Sequence, residues 1–395
     1  MTRQITEILA QLVAFPTVSH QSNLALLDSV ESLLAPAGVR LERFTSEDGT
    51  RANLWASLGP EGSGGVVLSG HCDVVPVTGQ DWSLDPFELH QADGKLFGRG
   101  TADMKGYLAV AIKTMLDAAG RTLRLPLHLA ISYDEEIGCM GVRGMLDSLQ
   151  DRPDRPALCI IGEPTGMRIA NGHKGKKALH ACCHGTAAHS ALAPTALNAL
   201  HLGAALVTRL DARQEELRVN GVQDAAYDIP YSTIHVGVMS GGTALNIVPA
   251  QCNLDIEIRN VAGDDPEAIL AGIAKDAEAI AAPYRNRFPD AAITIEEVSA
   301  YPGLDTPASI PAISFLQSLL GSTDPLIKVA FGTEGGLFAE RLGVPTLVCG
   351  PGHMDQGHKK DEYVEVSQLA QCAGFLNALV DVLETGLAPE LVPSL

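Results

Sequence analysis

The sequence predicts an α/β protein: a mixed-sheet catalytic domain with helices on both faces, interrupted by a smaller βαββαβ domain of the α+β kind. Three observations lead there. Short apolar runs alternate with helical periodicity in the first and last parts of the chain. The middle, from about residue 178 to 298, has a different rhythm, with strands in pairs between two helices. Polar clusters stand where the core strands of the outer parts end, which is where open α/β sheets hold ligands.

The chain opens on MTRQITEILAQLVAF, whose pattern predicts an amphipathic helix and not a signal peptide. Residues 65–69 form a short apolar run entered from a Gly/Ser turn. From Lys105 to Ala119, Leu108, Ile112, Met115 and Leu116 recur at helical spacing. Residues 125–133 alternate as a strand does, and 157–161 are continuously apolar, as buried strands are. Residues 326–330 and 344–349 look the same, and a helix from about 366 to 383 follows. In the middle, strands are expected at 178–184, 231–238, 251–259 and 292–298, with helices at 195–218 and 265–281. The first helix aligns Leu197, Leu200, Leu206 and Leu210. The second begins with Asp265 as N-cap and Pro266 at N1, and aligns Ile269, Ile273 and Ile280. The expected division is 1–177, 178–298 and 299–395, with the outer segments forming one discontinuous domain.

Composition narrows the function. A net charge of −19 over 395 residues repels phosphate backbones and anionic lipid, so neither nucleic acid nor a membrane surface is the expected partner. No run of 18 apolar residues predicts a membrane span. Eight cysteines without a C-x-x-C pair suggest reduced thiols and a cytoplasmic protein. The spacing Gly352-x-x-x-x-Gly357 is followed by His358-Lys359, where a phosphate loop requires Lys-Ser/Thr. There is no G-x-S-x-G elbow.

Chemistry concentrates in five places. Residues 70–76 (GHCDVVP) follow the first core strand, and in an extended segment His71 and Asp73 point to the same side. A carboxylate there can turn the other imidazole nitrogen toward a metal. Alone, the pair reads as readily as a surface histidine with an acidic neighbour. Residues 98–106 (GRGTADMKG) are a glycine-rich loop leading into a helix, where Asp103 could simply be an N-cap. Asp134-Glu135-Glu136 follow the next strand; bare, they read as a solvated turn, but adjacent carboxylates can also divide metal binding and proton transfer. Glu163 lies in residues 162–165 (GEPT), and His358 in residues 357–363 (GHKKDEY). His90, His128, His180, His201 and His235 stand away from clustered carboxylates and read as ordinary core or surface imidazoles. His353, five residues before His358, is left open as a competing imidazole.

With five such motifs in this order, the sequence resembles the co-catalytic zinc amidohydrolases and exopeptidases over nearly its whole length. The resemblance implies two zinc ions, with cobalt as an alternative. His71 and Glu163 would bind one ion, Glu136 and His358 the other, and Asp103 would bridge them. Glu135 would be the general base and Asp73 would orient His71. In the inserted domain, with its lid and dimerisation role, His189 would stabilise the oxyanion across a homodimer. Arg259 would grip the substrate carboxylate beside Asn246, and Thr333 would lie in a substrate-side loop. Residues 131–146, 161–175, 331–338 and 350–364 most resemble the deacetylase branch. The expected reaction is therefore hydrolysis of N2-acetyl-L-ornithine, a small-molecule N-acetylated amino acid, in arginine biosynthesis. The alternatives are a broader N-acyl-amino-acid deacylase, a desuccinylase or dipeptidase, and, more distantly, a binding relative without catalysis.

Overall fold

A computed structural model of the chain describes residues 2–391. The first part contains α1 (Thr2–Val13), α2 (Leu24–Leu34), β1 (Arg40–Thr45), β2 (Ala52–Leu58), β3 (Val66–His71), β4 (His90–Ala92), β5 (Lys95–Phe97), α3 (Lys105–Ala118), β6 (Leu127–Ser132), α4 (Val142–Leu149), β7 (Leu158–Pro164) and β8 (Ala170–His173). The middle contains β9 (Gly175–His184), α5 (Ala199–Asn220), β10 (Thr233–Gly241), β11 (Gln251–Asn260), α6 (Pro266–Ala281) and β12 (Ala292–Tyr301). The last part contains β13 (Leu304–Asp305), α7 (Pro311–Leu320), β14 (Ile327–Val329), α8 (Gly335–Leu342), β15 (Thr346–Gly350), β16 (Tyr363–Glu365) and α9 (Val366–Thr385).

These elements form two compact units. The first holds the chain up to His173, Leu304–Val329 and the chain from Thr333 onward. Its sheet runs β1-β2-β6-β3-β7-β15-β8-β13, with β14 paired to β8. Strands β6, β3, β7 and β15 are parallel neighbours, so Ser132, His71, Pro164 and Gly350 all finish at one end of the sheet. Strand β3 is buried on both faces, as a central parallel strand should be. Leu68, Ile131, Ile160 and Leu347 face a core built with α1, α3 and α9. Alternate residues Val67, Cys159, Ile161 and Val348 are buried toward the opposite face, where α4 and α8 pack on each other. The sheet is thus mixed and covered on both faces, as the sequence predicts. Helix α9 has 20 residues and a mean hydropathy of 1.3, enough by length and composition to cross a membrane. Its Leu369, Phe375, Leu376, Leu379 and Leu383 are instead buried in this core.

The second unit spans Lys174–Gly303 with Ala330–Gly332. Its antiparallel sheet runs β10-β11-β9-β12, which with α5 and α6 reproduces the expected βαββαβ order. Strand β9 alternates strictly between buried and half-buried residues. Leu179 and Ala181 of β9, with Leu254 and Ile256 of β11, pack against Leu202, Leu206 and Leu210 of α5 and Ile273 of α6. Asp265 caps α6 by accepting from the Glu267 N–H, with Pro266 at N1. Helix α5 starts later than expected. Asn198 caps it by accepting from the Leu200 N–H, and a short 3-10 turn containing Pro194 precedes it, so Leu197 lies outside the helix.

Candidate metal centre

Strand β3 runs two residues further than its apolar run suggests and delivers His71 directly to the sheet end. The His71 Nδ1 lies 3.0 Å from the Asp73 carbonyl oxygen and 3.4 Å from Asp73 Oδ1. That pairing turns Nε2 toward Asp103 Oδ1 at 3.0 Å and Glu163 Oε1 at 3.5 Å. The other imidazole, His358, places Nε2 3.1 Å from Asp103 Oδ2 and 2.9 Å from Glu136 Oε2. Each oxygen of Asp103 therefore faces a different histidine. Asp103 is not an N-cap: that position is Met104, and no side chain caps α3 there. The peptide bond joining Asp103 to Met104 is cis.

Asp73 also holds the turn after β6. Its carboxylate accepts from the backbone N–H groups of Glu135 at 3.1 Å and Glu136 at 3.3 Å, and from Ser19 Oγ at 2.8 Å. Asp134 enters that turn with φ of 52°, a left-handed conformation that aspartate tolerates better than most residues. It is pinned by the His20 N–H at 2.7 Å and by an ion pair with Arg51. The Glu135 Oε1 accepts from the Cys139 thiol at 3.4 Å.

Donor atoms of His71, Glu135 and Glu163 lie within 4.8 Å of one another, and so do those of His71, Asp103 and Glu136. His71, Asp103 and Glu163 are at most 3% exposed, while the His358 side chain is 45% exposed and marks the open side. His353 joins neither group: its ring rests against Gly166, where a Cβ would come within 2.3 Å of the ring.

Burial governs the electrostatics. It raises Glu136 and Glu163 to about 7, with the Asp103 charge adding to the effect. It raises Glu135 well above the carboxylate range. Burial also opposes ionisation of Asp103, but hydrogen bonds from His358 and His71 outweigh it and hold that carboxyl low. Hydrogen bonds to Asp103 and Glu136 lift His358 to about 10. Carboxylates buried this close to one another favour a positive charge among them. Two imidazoles and a set of buried carboxylates are a donor set suited to zinc and similar divalent ions, which would supply that charge. The residues fit the group.

Three buried residues escaped the sequence reading although they stand inside its motifs. Glu334 is 2% exposed, is raised to about 7 by burial, and accepts from Ser69 Oγ at 3.4 Å. Arg99 and Glu362 form an ion pair at 2.7 Å with both side chains 1% exposed. Thr333 stands just before α8. It is fully buried and its hydroxyl accepts from the Gly335 N–H at 2.9 Å, which shapes the entry to α8.

The remaining expected residues belong to the second unit. An isolated bridge pairs His189 with Ile247, and the Ser190 N–H bonds the Asn246 carbonyl at 2.9 Å, so the two loops are neighbours. The His189 Nδ1 accepts from the Ala191 N–H at 3.2 Å. The Arg259 guanidinium donates to Glu257 Oε1 at 2.8 Å and to the Tyr301 hydroxyl at 2.7 Å.

Imidazoles and carboxylates converging at the carboxyl end of a mixed sheet define a metallohydrolase centre. The chain belongs to peptidase family M20/M25/M40, whose profile matches residues 67–382. It is 32% identical over 383 residues to an acetylornithine deacetylase of Proteus mirabilis, covering 95% of each chain. It is 33% identical over 369 residues to one of Klebsiella pneumoniae, covering 91% of this chain and 92% of that protein. Among solved structures, the M20 family metallo-carboxypeptidase Sso-CP2 from Sulfolobus solfataricus superposes with a TM-score of 0.77 at 17% identity, over 97% of this chain and 100% of that one. The YXEP protein of Bacillus subtilis, described as a dinuclear metal binding peptidase, gives 0.69 at 14%, over 98% and 99%. These likenesses establish the fold, and family membership makes the chain an M20-type metallohydrolase.

Proposed function

We propose that the protein removes the acetyl group from N2-acetyl-L-ornithine, giving L-ornithine and acetate. The observation that carries this reading is its likeness to acetylornithine deacetylases at 32–33% identity across more than nine-tenths of the chain. His71 and Glu163 would hold one divalent ion, Glu136 and His358 the other, with Asp103 shared. Zinc is the expected metal, and cobalt suits the same donors. When bound, such ions supply Lewis-acid chemistry, polarising an amide carbonyl and acidifying water.

The protein's own groups do the rest. Glu135 is the general base: burial keeps its carboxylate basic, and the Cys139 thiol occupies Oε1, leaving Oε2 to take a proton from water and return it to the leaving amine. Asp73 keeps the proton of His71 on Nδ1, so that Nε2 is available to an ion. His189 is assigned the donor to the developing oxyanion. Arg259 is assigned the substrate carboxylate, with Asn246 as companion donor. Glu257 already occupies that guanidinium, so the substrate carboxylate must compete with it. The reading includes a homodimer in which His189 serves the partner's site, and a reducing cytoplasm in keeping with the unpaired thiols.

The test is a substrate panel with the zinc- and cobalt-loaded enzyme. N-acetylated ornithine, methionine and citrulline are compared with succinyl-diaminopimelate by kcat/KM. Acetylornithine should lead. Faster turnover of acetylmethionine or of a dipeptide would replace this substrate with the broader deacylase or dipeptidase reading.

A further inference from the structure

Two of the expected metal ligands, His71 and Glu163, sit on strands and are placed by the sheet. Two others, Asp103 and His358, come from loops and need another anchor. Glu362 supplies it. This buried carboxylate lies four residues beyond His358. Its Oε1 accepts from the backbone N–H groups of Ala102 at 2.9 Å and Asp103 at 3.1 Å. Its Oε2 accepts from the Gly100 N–H at 3.1 Å and from Arg99 Nη1 at 2.7 Å. The Glu362 carbonyl accepts from the Gly98 N–H at 2.9 Å. One side chain thus takes three backbone N–H groups of the loop that presents Asp103, that of Asp103 among them.

Arg99 carries the connection to the other loop. Its guanidinium donates to the Lys359 carbonyl at 3.3 Å and to Gln80 Oε1, and lies 5.0 Å from the Trp82 ring centre. Gln80 in turn donates through Nε2 to the His358 carbonyl at 3.0 Å. The hydrogen bonds close a ring: Glu362, the Asp103 loop, Arg99, Gln80, His358 and back along the chain to Glu362. A buried ion pair adds little net stability by itself, because desolvation offsets the attraction. What this one adds is direction, with every remaining lone pair spent on backbone that carries a ligand.

We propose that Arg99 and Glu362, with Gln80, are positioning residues that hold Asp103 and His358 at the spacing needed for the second metal ion. This rests on the two-ion reading above. Glu362 stands in neither group of clustered donor atoms, and Arg99, a cation without a lone pair, offers an ion no ligand atom. The ion at His71 and Glu163 depends mainly on β3 and β7, and is the less sensitive of the two. Loss of such an outer hydrogen bond typically weakens metal affinity by about 10–100-fold.

The experiment titrates the chelator-stripped full chain with Co²⁺, following visible absorption and binding heat, for wild type, Glu362→Gln and Gln80→Ala. Gln80 is partly exposed, and its truncation leaves the Arg99–Glu362 ion pair in place, so it serves if Glu362→Gln does not fold. The expected result is a second ion at least tenfold weaker in Glu362→Gln, with the first, which loses only its share of Asp103 and keeps His71 and Glu163 on their strands, weakened by a clearly smaller factor. Gln80→Ala should show the same selectivity at a smaller factor, with an altered spectrum for the second ion. Unchanged second-ion affinity and spectrum in the variants overturns the proposal. So does equal weakening of both ions, which is the signature of general loosening. A wild-type chain that takes up only one ion would instead sink the two-ion reading, so the two failures are distinct.

Discussion

Glu163→Gln, studied without metal, tests the electrostatic account of the centre. Glu163 is 3% exposed, and burial followed by the Asp103 charge raises it from 4.5 to about 7. A carboxyl raised on folding contributes stability below its unfolded pKa and loses it as pH rises through the folded one. The window is therefore about pH 4.5 to 7. Ionising Glu163 fully in the metal-free fold costs about 3 kcal/mol, of which roughly 2 kcal/mol falls between pH 5 and 7.5. The glutamine variant keeps the shape and drops the titration, so it escapes that loss. At ~2–4 °C per kcal/mol for a domain of this size, its melting temperature should gain roughly 4–8 °C on wild type over that interval. The assay is thermal unfolding of both chelated proteins at half-unit pH steps. Comparing the two cancels opposing groups such as His128, which burial lowers to about 4. A difference independent of pH would refute the reasoning.

Three further outcomes follow from the site. Glu135→Gln should retain metal content by elemental analysis while kcat falls about 10²–10⁴-fold, the usual worth of a general base. Asp73→Asn, which disturbs the His71 contact and the Glu135 and Glu136 N–H bonds, should weaken metal binding about 10–100-fold in a chelator competition. Arg259→Met should raise KM for an N-acetylated amino acid at least roughly tenfold with kcat little changed, and should leave an amide analogue of the carboxylate unaffected.

The central strands were legible because each is a short apolar run stopped abruptly by acids or histidine. That signature predicts a buried strand and its functional end together, which is why His71, Glu135, Glu136 and Glu163 stood out in sequence and converge in space. Strand β2 was passed over because ANLWASL is buried throughout and shows no alternation. Strands β4, β5 and β16 span three residues each, too few to establish a period. Glu334 and Glu362 were illegible as buried acids for another reason. Their burial is imposed from far along the chain: Ser69 meets Glu334 across 265 residues, and Arg99 meets Glu362 across 263. Nothing within a few residues distinguishes FGTEGG with a buried glutamate from the same string on a surface.

Strand β15 lies between β7 and β8, although more than 170 residues separate it in sequence from both. Any sheet that forms from β6, β3, β7 and β8 before residues 346–350 are made has an empty interior slot. Until residues 346–350 emerge, β7 presents an open, apolar edge of the kind that invites pairing with another chain. The second unit, nearly continuous between Lys174 and Gly303, has all its strands before that moment and can close first. His358 arrives later still, so the nascent chain cannot complete a centre that uses this imidazole before its largest sheet is whole. Shortening the chain ahead of β15 therefore removes this sheet's middle and not its margin.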